Sequence, residues 1–152
     1  MKILAIIQAR TSSSRLPDKI LKPILGKPML MHQIERVQLS EMIDHLVVAT
    51  SKEVSDNKLV NLLNSAGIEY FRGSLKDVLD RFFQTASIYS PDHIVRLTGD
   101  SPVIDFEIID KVIEMHLEKG FDYTSNALGS DATFPDGLDV EVIRFDILKD
   151  AS

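Results

Sequence analysis

The segment ILAIIQARTSSSRLPDK, residues 3–19, decides the fold of this chain. Its beginning, residues 3–7, is a continuous apolar run that predicts a fully buried strand. The rest is a loop of small, hydroxyl-bearing residues that carries three cations, Arg10, Arg15 and Lys19. The backbone N–H groups of such a loop can crowd around an anion while the cations neutralise its charge. The segment therefore predicts a phosphate site, in the layout expected for a nucleotide triphosphate.

This loop matches neither of two common phosphate motifs. A Walker A loop needs Gly-Lys-Ser/Thr, whereas Gly26-Lys27 is followed here by Pro28, and no Gly-x-Gly-x-x-Gly occurs. The alternative interpretation is an ordinary solvated basic loop. The position of the loop favours a ligand, because open α/β sheets bind ligands at the carboxyl ends of their strands.

The composition is that of one folded domain. The chain has 152 residues, of which 44% are hydrophobic and 26% charged. The absence of cysteine excludes a disulfide framework, a thiolate zinc site and a cysteine nucleophile. No segment is apolar over a length that could span a bilayer. We expect a single nucleotide-binding domain over residues 1–152, a cytoplasmic location and no membrane partner.

The charge is distributed unevenly along the chain. The net charge is −6, but residues 1–36 carry +5, so that the other 116 residues carry −11. An acidic protein with one basic patch is poorly suited to a long nucleic-acid footprint. It suits a small polyanion held at one place, with acidic residues elsewhere to hold a metal ion.

Strand and helix patterns alternate at short spacing, which predicts βαβ units and a mostly parallel sheet. We expect strands at residues 3–7, 45–50, 68–71, 93–97, 121–125 and 138–143. We expect helices at residues 28–38, 59–66, 75–86 and 107–117, with a further helix opening at 144–152. The sequence thus predicts an α/β fold.

Asp100 is the best candidate for a metal ligand. It follows the fourth predicted strand in Thr98-Gly99-Asp100, and Gly99 permits a close approach of the backbone. In a doubly wound sheet this point faces the same crevice as the basic loop. Mg²⁺ takes oxygen ligands and usually one or two protein carboxylates. The alternative interpretation is a turn or capping aspartate.

A second acidic cluster lies in PDGLDVE, residues 135–141. Asp139 and Glu141 are two residues apart, so on a strand they share one face. One interpretation is that both are solvent-facing side chains. The alternative is a second metal contact or hydrogen bonding to an acceptor substrate.

Arg72 and Ser74 follow the third predicted strand and also face the crevice. Arg72 would stack on or hydrogen-bond a base or sugar, or would be an exposed loop arginine. For Asp77, Asp80 and Arg81 the sequence favours capping and ion pairing. The four histidines lack metal-ligand spacing, and we assign them no catalytic role.

Four blocks of sequence together resemble the sugar cytidylyltransferases, relatives of the synthetases that attach CMP to 3-deoxy-manno-octulosonate or sialic acids. The nearest resemblance is to the spore-coat polysaccharide biosynthesis protein F family. The blocks are IQAR with SRLPDK (7–10 and 14–19), FRGS with DVLDR (71–74 and 77–81), LTGDSPVID (97–105) and PDGLDVE (135–141).

The resemblance implies a Rossmann-like, three-layer α/β/α nucleotidyltransferase fold that uses CTP as donor, Mg²⁺ as cofactor and an acidic sugar as acceptor. It implies a catalytic set of Arg10, Arg15, Lys19 and Asp100. The implied nucleotide-binding residues are Gln8, Ala9, Arg10, Ser12, Ser13, Ser14, Arg15, Lys19, Arg72, Ser74, Thr98 and Asp100. The implied metal ligands are Asp100 and Asp139, and the implied sugar-binding residues are Asp136, Asp139 and Glu141.

Members of this family generally continue past the position of Ser152, and that further portion often supplies a homodimer contact. Two other functions stay open. One is a nucleotide-sugar-dependent glycosyltransferase of related fold, although such enzymes usually show Asp-x-Asp where this chain has Gly99-Asp100-Ser101. The other is a non-catalytic nucleotide-binding module.

Overall fold

A computed structural model of the protein describes residues 1–13, 15–127 and 134–152. The strands are β1 (Ile3–Gln8), β2 (Pro23–Ile24), β3 (Lys27–Pro28), β4 (His45–Ser51), β5 (Tyr70–Gly73), β6 (His93–Thr98), β7 (Tyr123–Ser125) and β8 (Glu141–Arg144). The helices are α1 (Met29–Val37), α2 (Asn57–Ala66), α3 (Val78–Tyr89), α4 (Phe106–Lys119) and α5 (Phe145–Ala151). Within these described ranges, none of the helices has the length and apolarity needed to cross a membrane.

Six strands form one sheet in the order β5-β4-β1-β6-β8-β7. The first four run parallel, whereas β8 is antiparallel to both of its neighbours. This confirms the mostly parallel α/β sheet. From β1 the chain first builds outward through β4 and β5, and then returns to place β6 on the other side of β1. The boundary between β1 and β6 is therefore the switch point at which such sheets bind ligands.

Helices cover both faces of the sheet and make three layers. On one face α1, α2 and α4 pack on strand residues such as Ala5 and Ile7. On the other face α3 and α5 pack on Leu4 and Ile6. Because side chains alternate along a strand, Gln8 at the end of β1 lies on the same face as Leu4 and Ile6.

The last strand begins three residues later than predicted, at Glu141. A turn precedes it, in which Leu138 N–H donates to the Pro135 carbonyl and Gly137 adopts φ +93°. The side chain of Asn126 then bonds both the Leu138 carbonyl and the Val140 N–H, at 2.9 and 2.8 Å. The Asn126 side chain thus forms hydrogen bonds with the backbone that a neighbouring strand would otherwise form. The alternating sequence pattern does not indicate this substitution.

A small hairpin of β2 and β3 escaped the sequence analysis. Its two-residue turn is Leu25-Gly26, with φ of +50° and +80°. Positive φ at both central positions is the geometry of a type I′ hairpin turn. The Gly26-Lys27 pair, which resembles part of a Walker motif, therefore serves the turn and does not lie in the phosphate loop.

Candidate active site

A cleft of about 630 Å³ opens where β1 and β6 end. It is formed by the loop after β1, the start of α3 and the residues after β6. Its lining residues are Gln8, Ala9, Arg10, Ser13, Arg15, Leu16, Lys19, Ile20, Val78, Arg81, Thr98, Gly99 and Asp100. Most of the expected nucleotide-binding residues thus lie together. Ser12, Arg72 and Ser74 are not part of this lining, and Ser14 lies outside the described residues.

A buried carboxylate from another element holds the loop after β1. Asp56 is fully buried and accepts hydrogen bonds from the Thr11 N–H at 2.7 Å, from the Thr11 hydroxyl at 2.8 Å and from the Ser51 hydroxyl. Burial raises the pKa of Asp56, and these hydrogen bonds outweigh it, so that the pKa is lowered. The loop also closes on itself, because the Asp18 N–H donates to the Thr11 carbonyl. Contacts within the protein therefore hold the described part of this loop at Thr11.

Lys19 and Asp100 meet across the cleft. The Lys19 Nζ donates to the Asp100 Oδ2 at 3.0 Å. Burial raises the pKa of Asp100, but the hydrogen bond and charge of Lys19 outweigh it and lower the pKa. The carboxylate is consequently ionised at neutral pH, in the form that binds a cation.

Gly99 allows this meeting. A Cβ added at Gly99 would lie 2.8 Å from both the Ala9 Cβ and the Gln8 carbonyl oxygen. The Gly99 N–H donates to that same Gln8 carbonyl at 2.8 Å. The end of β6 therefore lies directly against the end of β1, as the sequence analysis expected of a close-approach glycine.

Gln33 on α1 supports the Asp100 loop and was missed by the sequence analysis. It is buried, its Nε2 donates to the Thr98 carbonyl at 2.7 Å, and its Oε1 accepts from the Ser101 N–H at 3.1 Å. The two bonds bracket Asp100 from either side. The signal was available, since Gln33 falls between Leu30 and Ile34 on the apolar face of a helix, where a glutamine needs buried partners.

Arg81 is the second residue that sequence reasoning misjudged. It was expected to form an ion pair, yet no ion pair between described residues includes it. The side chain is buried and lines the cleft, one of its terminal nitrogens donates to the Ser74 carbonyl, and its Nε has no partner among the described residues. Burial lowers the pKa of Arg81, and the nearby charge of Arg10 lowers it further. The cleft thus contains a desolvated cation that an anionic ligand would neutralise.

The preceding strand leaves room for that side chain. A Cβ at Gly73 would lie 2.6 Å from the Arg81 Cγ and 2.9 Å from its Cβ. The capping expectation next to it is confirmed, because the Asp77 side chain accepts the Asp80 N–H at 2.9 Å and caps α3. Gly73 and the cap together set where Arg81 enters the cleft.

Arg72, for which the resemblance implies a contact with cytidine, lies outside the lining of this cleft. Its guanidinium donates to the Ser51 carbonyl, the Asn57 Oδ1 and the Glu53 carbonyl, each at 2.9 Å. These three bonds fasten the segment between β4 and α2, which contains Asp56. Arg72 therefore supports the loop from a distance and does not line the cleft.

The acidic cluster is also arranged differently. Because β8 begins at Glu141, Asp139 precedes the strand, so the two residues do not both lie within one strand as expected. One oxygen of the Glu141 carboxylate, Oε1, is paired with Arg96 on β6. Burial raises the pKa of Asp139, and the charges of Asp136, Glu141 and Asp100 raise it further.

The donor set fits Mg²⁺ held mainly by its ligand. In the part of the chain that the structure describes, no three His, Cys, Asp or Glu side chains are grouped to hold a metal ion. Mg²⁺ needs fewer, because it usually binds one or two carboxylates and takes its other ligands from water and phosphate oxygens. Asp100 supplies an ionised carboxylate, and after the larger effect of burial, repulsion from neighbouring carboxylates that include Asp100 contributes to the raised pKa of Asp139. A cation there would relieve that repulsion.

This fold and cleft are those expected of a nucleotide-binding α/β domain, and comparison with known proteins gives the family. The chain belongs to the cytidylyltransferase family, whose model matches residues 4–136. A structure of a cytidylyltransferase from Leptospira borgpetersenii superposes with a TM-score of 0.91 at 35% identity, covering 99% of this chain and 63% of that one. The expected nucleotidyltransferase fold and the resemblance to cytidylyltransferases are confirmed.

Curated relatives agree with this assignment. The chain is 45% identical to the uncharacterized protein MJ1063 of Methanocaldococcus jannaschii, over 99% of this chain and 60% of the relative. It is 40% identical to the spore coat polysaccharide biosynthesis protein SpsF of Bacillus subtilis, over 99% and 62%. A 3-deoxy-manno-octulosonate cytidylyltransferase of Geobacter metallireducens is 35% identical over 74% of this chain and 44% of its own length. The chain thus spans about three fifths of the length of the first two relatives.

Proposed function

We propose that this chain binds CTP with Mg²⁺ in the cleft and contributes the nucleotide site of an enzyme that transfers CMP to an acidic sugar. The observation that carries the proposal is the meeting of Lys19 and Asp100 at 3.0 Å, at the switch point of the sheet. One residue belongs to a cationic loop suited to phosphates, and the other is an ionised carboxylate suited to a cation. A nucleotide triphosphate with a divalent ion satisfies both.

In the proposed reaction a hydroxyl oxygen of the sugar attacks the α-phosphorus of CTP. A bond forms between that oxygen and the phosphorus, and the bond to the bridging α–β oxygen breaks. Pyrophosphate leaves with the electron pair of that bond, and the hydroxyl proton is released to solvent. The products are a CMP-sugar and pyrophosphate, so all atoms are accounted for.

The side chains act by positioning and by neutralising charge. Arg10, Arg15 and Lys19 surround the triphosphate, and Arg81 adds a cation from the wall of the cleft. Asp100 would hold Mg²⁺, with Asp139 as a second contact; when bound, the ion would offset the negative charge that develops on the transferred and leaving phosphates.

The acceptor class comes from the relatives. One is named for spore coat polysaccharide biosynthesis, and another is named a 3-deoxy-manno-octulosonate cytidylyltransferase, which acts on an acidic sugar. Asp136 and Asp139 are proposed to contact the sugar, as the resemblance implies. Glu141 stays a proposed sugar contact as well, with one of its two carboxylate oxygens paired with Arg96. A homodimer, a cytoplasmic location and the assignment of residues 1–152 to one nucleotide-binding domain stay predictions.

Nucleotide binding without turnover is the second candidate. It differs from the proposed activity in that no pyrophosphate is released, which the screen described below measures. The glycosyltransferase alternative is not favoured, since the family model that matches is that of cytidylyltransferases.

A thermal-shift panel of CTP, UTP, ATP, GTP and dTTP, each with and without Mg²⁺, tests the proposal. A ligand at about 100 times its Kd adds roughly 2.7 kcal/mol of stability. For a chain of this size that is a rise of about 5–11 °C in Tm. The rise should be largest for CTP with Mg²⁺, and a pyrophosphate-release screen with acidic sugars then separates turnover from binding alone. No rise with any nucleotide would contradict the proposal.

A further inference from the structure

Gln8 is an uncharged residue in the lining of the cleft. It is the last residue of β1, it lies opposite Thr98 in the register with β6, and it lines the cleft. It carries no charge, in contrast to the cations of the loop that follows it. It would therefore contact a ligand through a hydrogen bond. Whether Gln8 donates or accepts in that bond depends on which end of its amide faces the ligand.

A neighbouring arginine fixes the orientation of the Gln8 amide. The Arg96 Nε donates to the Gln8 Oε1 at 3.1 Å. Because a guanidinium only donates, the amide oxygen of Gln8 must face Arg96 and the amide nitrogen must face away. Arg96 is itself held by Glu141, which lies directly opposite it in the register of β6 and β8 and accepts from its terminal nitrogen. Glu141, Arg96 and Gln8 thus form a chain of contacts that ends in an oriented NH₂ group.

That NH₂ group has no hydrogen-bond partner in the part of the chain that the structure describes. The Gln8 Nε2 is one of three buried side-chain atoms without a hydrogen bond among the described residues, and a second, the Arg81 Nε, belongs to a residue lining the same cleft. An unsatisfied buried donor is costly, so a ligand that offers an acceptor there gains affinity. Almost none of the Gln8 nitrogen is accessible, so the neighbouring side chains must shift slightly as the ligand enters.

We infer that Gln8 reads the nucleoside part of the bound nucleotide, donating from its Nε2 to an uncharged acceptor oxygen of the base or ribose, with Arg96 and Glu141 as positioning residues. This rests on the proposed function. A neutral amide suits a neutral acceptor, and the triphosphate already has four cations in the cleft lining. Gln8 is therefore a residue that distinguishes a nucleotide from a bare polyphosphate.

The experiment compares the affinities of the chain for CTP and for inorganic tripolyphosphate, both with Mg²⁺, by calorimetry. Gln8→Leu should weaken CTP about three- to tenfold and leave tripolyphosphate within about twofold. Gln8→Glu, which keeps the contact with Arg96 but lacks the donor, should weaken CTP at least as much. Gln38→Leu, an exposed glutamine following α1, is the matched control and should change neither affinity.

Arg96→Met tests the positioning role. It should weaken CTP by a factor similar to Gln8→Leu, and the double variant should bind no worse than Arg96→Met alone, because residues in one network are not additive. Equal losses for CTP and tripolyphosphate, or CTP affinity unchanged in both Gln8 variants of native-like Tm, would overturn the inference. If the unaltered chain binds tripolyphosphate but not CTP, the proposed function fails first and the inference falls with it.

Discussion

The Nζ of Lys19 lies 3.0 Å from the Oδ2 of Asp100, although 81 residues separate them in the chain. A half-exposed pair of this kind contributes only about 0–1 kcal/mol to stability. A triphosphate and a divalent ion can therefore displace it at little cost, the phosphate taking the lysine and the ion taking the carboxylate. The Lys19–Asp100 pair therefore lies where the triphosphate and the divalent ion would contact each other.

The first prediction concerns Asp100→Asn. The variant loses the anionic oxygen that would hold Mg²⁺, so Mg²⁺ should no longer strengthen CTP binding, and the affinity at saturating Mg²⁺ should fall about tenfold or more. The free energy of unfolding should change by less than about 1 kcal/mol. Calorimetric titration with and without Mg²⁺ measures the first effect. Glu114→Gln, exposed on α4, is the control, and an unchanged response to Mg²⁺ in Asp100→Asn would exclude Asp100 as the ligand.

The second prediction concerns Asp56→Ala. Removal of the carboxylate leaves the buried Thr11 N–H without its acceptor, which should lower the free energy of unfolding by about 2–3 kcal/mol at neutral pH. Urea unfolding measures this difference. CTP affinity should fall as well, because the loop is no longer held at Thr11.

The same variant gives a pH dependence with a definite sign. The pKa of Asp56 is lower in the folded protein than its ordinary value of 3.8. Its stabilising contribution is therefore complete above about pH 3.8 and is lost as the pH falls through the lowered value in the folded state. The stability difference between the unaltered chain and Asp56→Ala should shrink only in that acidic range. A difference that already declines near neutral pH would contradict the assignment.

The third prediction separates two glycines. Gly99→Ala places a Cβ 2.8 Å from the backbone oxygen of Gln8, and overpacking of this kind costs about 1–3 kcal/mol. The strain should also move β6 away from β1 and weaken CTP binding. Gly120→Ala has open space around the new Cβ but an unfavourable φ of +65°, and should cost about 1 kcal/mol. Thermal unfolding and CTP titration of both variants check the contrast; equal CTP affinities would refute it.

The fourth prediction concerns Arg81→Met. Methionine keeps the apolar stem and removes a buried cation that has no carboxylate partner among the described residues, so the variant should be at least as stable as the unaltered chain. Its affinity for both CTP and tripolyphosphate should fall about tenfold. If the variant is more stable but binds less tightly, the positive charge of Arg81 serves ligand binding and not folding. A loss of stability with unchanged binding would show that Arg81 is structural.

The sequence was most informative where local chemistry sufficed. The apolar run of β1, the cap at Asp77 and the close approach at Gly99 each depend on neighbours within a few residues or on one steric property. The cationic loop could be recognised because its cations and small residues are contiguous. Long-range pairings were not accessible in the same way. Arg96 meets Glu141 only because β8 inserts antiparallel beside β6, and no local pattern predicts that register.

The expectations for Arg81 and Arg72 also failed to anticipate contacts that depend on the folded arrangement. Ion pairing is the expectation for Arg81 because it lies on the first turn of a helix beside acidic residues, yet the glycine before the cap lets its side chain pack inward. Arg72 is expected near the ligand because it follows a predicted strand. In the structure, all three of its guanidinium nitrogens donate hydrogen bonds to the segment from the end of β4 to the start of α2. Gln33 could have been found, since a glutamine on an apolar helix face requires buried partners.

The most direct measurement of the central claim is a calorimetric titration of the chain with CTP in the presence of Mg²⁺, repeated with Arg15→Ala. Arg15 lines the cleft, is exposed and is not needed for the core, so its loss should weaken CTP about tenfold without changing the fold. Lys111→Ala, which removes an exposed cation from α4, should bind CTP like the unaltered chain. Equal CTP affinities for Arg15→Ala and Lys111→Ala, or no binding by the unaltered chain, would contradict the assignment of this cleft as the nucleotide site.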